Sequence, residues 1–175
     1  MLGRYENFPE VIHGFARFVC GSPTGKVQHA ILCSLHKLNH ETCGLNTVNP
    51  RLPLYIEVSF EVGVAEDDEF NYLDGEELDR VQKSTVEKEL PILDFFCVVR
   101  YHVVKDEGKR IPLKFDYHML RFMFQGNSME LRICHERGTQ RVPLEDLATF
   151  ITRRINEELS RKRLKPLNLE YLRTL

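Results

Sequence analysis

Apolar and polar residues alternate in short runs along most of this chain, and give way to three- and four-residue spacing where helices are expected. Leu93 to Val104, Ile111 to Phe124 and Met129 to His135 are rich in Val, Ile, Phe, Tyr and Met, residues that suit a pleated, half-buried surface. These runs predict three strands. Between them stand Asp106-Glu107-Gly108-Lys109 and Gln125-Gly126-Asn127-Ser128, which have hairpin chemistry with glycine where a positive φ is needed. Pro143 then opens a long helix whose apolar positions are Leu144, Leu147, Ile151, Ile155 and Leu159.

The earlier half of the chain adds two strands and two helices. Val11 to Cys20 alternates imperfectly and predicts a first strand. After Gly21-Ser22-Pro23-Thr24-Gly25 a helix runs to about Asn39, with Ser22 or Thr24 available to cap it. Leu54 to Val64 predicts a second strand, with Ile56, Val58, Phe60, Val62 and Val64 on one face. Glu66 to Asp74 reads as an acidic loop and Gly75 to Leu90 as a short amphipathic helix. The expected fold is therefore α+β: a mixed, largely antiparallel sheet of about five strands, carrying two or three helices and ending in a long C-terminal helix. No repeat or linker divides residues 1–175, so a single domain is expected.

Composition changes this picture little. Hydrophobic residues make up 42% and charged ones 29%, as in ordinary globular proteins. No apolar run is long enough to span a bilayer, and the opening residues lack a signal-peptide core. Five cysteines at irregular spacings argue for reduced thiols and a cytoplasmic location. A net charge of −2 gives no reason to expect a polyanion or a membrane as partner. Charge is nevertheless uneven, acidic from Glu66 to Asp79 and basic from Arg153 to Lys165. The basic run Arg161-Lys162-Arg163 is short and has no interleaved aromatics, so nucleic acid is not an expected partner.

Three groups of residues invite chemistry. Gly21 to Val27 resembles a phosphate-binding loop only loosely: three residues separate the glycines, and Val27 stands where a magnesium-holding hydroxyl belongs. What survives is an anion site at Gly25 and Lys26, at the start of a helix. On that helix His29, Cys33 and His36 fall opposite the apolar side, which makes them candidate metal ligands. The bland alternative is a weakly polar face packed on another subunit.

The third group lies on the second hairpin. With Gly126 and Asn127 as turn residues, Phe124 faces Met129, Phe122 faces Leu131 and Leu120 faces Ile133. The same register sets His118 opposite His135 and Asp116 opposite Arg137, a group able to move protons or to hold an anion. One conflict stands against it. Ile111, Leu113 and Phe115 are odd-numbered, whereas Leu120, Phe122 and Phe124 are even-numbered. Either a bulge near Tyr117 switches faces, or both faces of the strand are covered.

No strict catalytic signature is present. The sequence is best read as a binding or assembly module that joins another copy of itself. The alternative is a small-molecule enzyme or ligand-binding protein, with a pocket between the sheet and the C-terminal helix that uses Asp116, His118, His135 and Arg137. No cofactor is identified by the residues.

Overall fold

Nine strands form one antiparallel sheet in the computed structural model, which describes residues 1–175. In chain order the elements are β1 (Gly14–Cys20), α1 (Thr24–Leu38), β2 (Thr42–Gly44), α2 (Leu45–Val48), β3 (Ile56–Glu66), β4 (Glu69–Tyr72) and α3 (Gly75–Glu87). Then come β5 (Ile92–Val104), β6 (Arg110–Pro112), β7 (Asp116–Gln125), β8 (Ser128–Arg137), α4 (Leu144–Arg161) and β9 (Leu167–Thr174). The strands lie in the order β2-β3-β5-β7-β8-β1-β9, with β4 beside β3 and β6 beside β5.

The α+β class and the antiparallel sheet agree with the sequence reading. The strand number and the ending do not. There are four helices, nine strands rather than about five, and the last element is β9 rather than the long helix. Three of the additional strands are only three or four residues long, too short to show a period of two. One of them, β4, occupies the middle of the expected acidic loop and pairs with the end of β3. The expected strand Ile111–Phe124 is broken into β6 and β7.

All the core-facing side chains of the central strands point to one side. Ile56, Val58, Phe60, Val62 and Val64 of β3 are buried there, as are Leu120 and Phe122 of β7. The apolar stripe of α4 (Leu144, Leu147, Ile151, Ile155 and Leu159) is buried against this face, each side chain contributing roughly 1.5–3 kcal/mol. Phe150 of α4 stacks on Phe60 of β3 at 5.5 Å between ring centres. Helix α1 packs on α4 and α3, and together these parts build one apolar cluster of 36 buried residues.

The opposite face of the sheet carries no helix. The segment from Gly3 to Phe8 crosses part of it instead, pinned where Asp94 accepts from the Tyr5 amide and pairs with Arg121 at 2.8 Å. Arg121 in turn lies over the Phe8 ring at 4.3 Å. Gly63 has no side chain for a local reason: a Cβ there would collide with the ring of Phe96 on the neighbouring strand.

Candidate functional site

The β7–β8 hairpin turns at Gly126, which holds a φ of 59°, and Gln125 pairs with Ser128. From that turn outward Phe124 faces Met129, Phe122 faces Leu131, Leu120 faces Ile133 and His118 faces His135. The two imidazole centres are 5.2 Å apart. The expected pair Asp116–Arg137 does not form. A register shift between Tyr117 and His118 leaves Glu136 as an extra residue on β8, so Arg137 faces Tyr117 and is exposed. Asp116 stays on the core side. The conflict of odd and even apolar positions has the same origin: the strand breaks after Pro112, and β7 resumes at Asp116.

Asp116 is fully buried and accepts four hydrogen bonds. They come from the Tyr101 hydroxyl at 2.5 Å, His135 Nε2 at 3.0 Å, and the backbone amides of Gln140 at 2.7 Å and Arg141 at 3.1 Å. Burial pushes this carboxyl up, but the four donors pull further, and the balance lies below the ordinary carboxylate value. An ionised carboxylate only accepts, so His135 carries its proton on Nε2 in this pair. The Tyr101 oxygen accepts from the Val142 amide at 3.2 Å, which extends the network to the start of α4. Gly138 completes it. Its φ is 114°, and a Cβ would collide with Asp116 Oδ1 and the Phe115 carbonyl.

This arrangement anchors the turn that leads into α4. His118 sits beside it, fully buried, with neither ring nitrogen hydrogen-bonded. Burial first, and the neighbouring His135 second, lower its pKa to about 4, so the ring is neutral near pH 7. Cys97 faces His118 across β5 and β7, but burial pushes its thiol up to about 12 and supplies no thiolate for nucleophilic work. His135 is only 12% exposed. The group is thus sealed: the polar atoms of Asp116 and Tyr101 are spent on His135 and the turn amides, and the two His118 nitrogens are left buried without a partner.

The other sequence candidates separate as well. Helix α1 does carry His29, Cys33 and His36 away from its apolar stripe, but α3 of the same chain packs on that side. Gln82 of α3 donates to Cys33 Sγ at 3.1 Å. His36 instead meets His40 edge-on, with ring centres 5.0 Å apart. No three His, Cys, Asp or Glu side chains stand where they could share a metal ion. At the start of α1 the N-cap residue is Pro23, without a side-chain cap, and Ser22 bonds to the backbone of Lys165 instead. Glu89 lies beside Gly25, so a carboxylate of this chain already occupies the surroundings of Gly25 and Lys26.

Two surface features are built from residues that the sequence reading did not single out together. The first is β9, an edge strand paired only with β1. Between it, β1 and α4 opens a cleft of about 280 Å³, lined on one side by Ala16, Phe18, Leu169 and Leu172 and on the other by Ala148 and Thr152. The sequence did hold a signal for this strand: Pro166 stops the preceding segment, and Leu167, Leu169 and Tyr171 then alternate with Asn168 and Glu170. The second feature lies on the helix-free face around Phe115 and Arg137, where two shallow grooves of about 300 and 400 Å³ adjoin. No protein-family model, curated protein or solved structure matches this chain.

Proposed function

We propose that this protein is an assembly module whose β9 edge pairs with the same strand of a second copy. The observation that carries the reading is the free side of β9, eight residues long, with Leu169 54% and Tyr171 48% exposed. A strand at a sheet edge presents unpaired N–H and C=O groups in a row, which template pairing with another chain. The two grounds for self-association in the sequence are met within the chain, by the strand break at Leu113–Phe115 and by α3 over α1. The proposal therefore rests on β9.

Three features favour a second copy as the occupant. The bulge against β1 falls between Leu169 and Tyr171, so Tyr171–Thr174 remains regular. In an antiparallel pair centred on Leu172, Leu172 meets its own copy on the side of the cleft. Tyr171 then meets the partner's Arg173 on the helix-free face, so no like charges stand opposed in the regular stretch. Side chains added beyond β9 would also cover the apolar cleft against α4, the arrangement by which strand addition gains specificity.

Light scattering across a concentration series tests this. The parent chain should move from one-chain to two-chain mass as concentration rises. Leu172→Lys and the more exposed Tyr171→Lys should remain single chains with unchanged circular dichroism. A one-chain mass at every concentration rejects the proposal. A ligand pocket between the sheet and α4 is the second reading, favoured by the same cleft, but its residues are those of β1, α4 and β9 rather than Asp116, His118, His135 and Arg137.

A further inference from the structure

On the helix-free face most arginines are already occupied. Arg17 and Arg132 share Glu130, Arg100 holds Glu61, Arg110 holds Glu57 and Arg121 holds Asp94. Lys114 and Arg137 hold no carboxylate, and they stand together. Each groove beside them has its own character. One, of about 300 Å³, is floored by Phe115, Tyr117 and Met119. The other, of about 400 Å³, is edged by Lys114, Arg137, Gly138 and Thr139. Phe115 and Arg137 line both, so an apolar half and a cationic half are continuous. Phe115 is 38% exposed, with Arg100 stacked over its ring at 5.5 Å.

We infer that this double groove binds a small planar ring bearing a carboxylate or phosphate. The ring lies along Phe115, Tyr117 and Met119, and the anion meets Arg137 and Lys114. Aromatic side chains favour offset or edge contact with a flat ring. A guanidinium presents a fork that matches two oxygens of a carboxylate or phosphate. Glu136 lies on the ring side and would repel an anion placed there, which fixes the ligand's orientation. The backbone beside the site is held in advance of binding, because Arg137 leads directly into the turn fixed by the bonds of Asp116 to Gln140 and Arg141. The exposed side chains of Arg137 and Lys114 are ordered by the ligand itself. The sealed interior network thereby acquires an exterior consequence: it positions the turn that follows Arg137.

Nuclear magnetic resonance titration of the full chain with 2-naphthoate tests this, with 2-naphthalenemethanol as the ring alone and acetate as the anion alone. Saturable shifts should centre on Phe115, Arg137, Gly138 and Thr139, and both partial probes should bind at least tenfold more weakly. Arg137→Ala should weaken 2-naphthoate about tenfold, a loss of one charge-assisted contact, and Lys114→Ala by less. Both positions are exposed, so these variants should fold, and neither should alter the oligomeric mass. Shifts centred on the α4–β9 cleft, equal binding of the alcohol, or unchanged binding by Arg137→Ala would overturn the assignment.

Discussion

The closed end of the β7–β8 hairpin and the free edge of β9 treat their polar groups in opposite ways. At the hairpin end Asp116, Tyr101 and His135 join the amides of Gln140, Arg141 and Val142 in one interior network. Along β9 a row of backbone donors and acceptors has no partner strand on its outer side. The first region contains the residue types usually associated with chemistry, and uses them to hold a turn. The second is made of Leu, Asn, Glu, Tyr, Arg and Thr, and leaves its outward hydrogen-bonding capacity open. The other border of the sheet sharpens this contrast, because β2 offers only three residues. Capacity for interaction lies where the chain has left groups unmatched, whatever their residue type.

If the hairpin end is architectural, damage to it should appear first as lost stability. The largest effect is expected from Asp116→Ala, which strands a buried hydroxyl, an imidazole N–H and two backbone amides. Denaturant unfolding should show a loss of about 4 kcal/mol. Little change would mean that the network is replaceable by water. Gly138→Ala belongs with the large losses: beyond the ~1–2 kcal/mol of a positive φ, its Cβ would overlap the Phe115 carbonyl and Asp116, so denaturant unfolding should show a loss comparable to that of Asp116→Ala.

Acid should reveal the next largest effect. His118 titrates at about 4 in the folded chain and near 6.5 unfolded, so the unfolded chain takes up a proton first as pH falls. Its contribution is complete above about pH 6.5 and declines by about 3 kcal/mol as pH falls to about 4. The lowered Asp116 value acts in the same direction at still lower pH. His118→Leu should flatten the slope between those limits while leaving stability at pH 7 equal or higher, because two unpartnered ring nitrogens are removed. An unchanged slope would remove His118 from the account.

How much of this was legible depended on the range of the cause. A two-residue turn at Gly126–Asn127 determines pairing locally, so the register to His118–His135 could be counted from the sequence. The displacement of Arg137 could not, because the extra residue Glu136 is accommodated only when β8 meets β7 and the following turn closes on Asp116. The stripe His29, Cys33, His36 was visible by helical spacing, but its cover, α3, is contributed by a separate segment in which six of 13 residues are charged. Strand β9 followed a strongly basic helix end, and its short alternation was obscured by that charge.

Hydrogen exchange at two protein concentrations tests the central claim most directly, since it reads the β9 edge amide by amide. Amides of β9 that do not bond to β1 should exchange quickly in dilute protein and become protected as concentration rises, while the β2 edge stays unchanged. Tyr171→Lys should abolish that added protection and leave the β1-facing amides of β9 as slow as before. If the outward amides of β9 exchange at the same rate at every concentration, β9 does not join two copies of this chain.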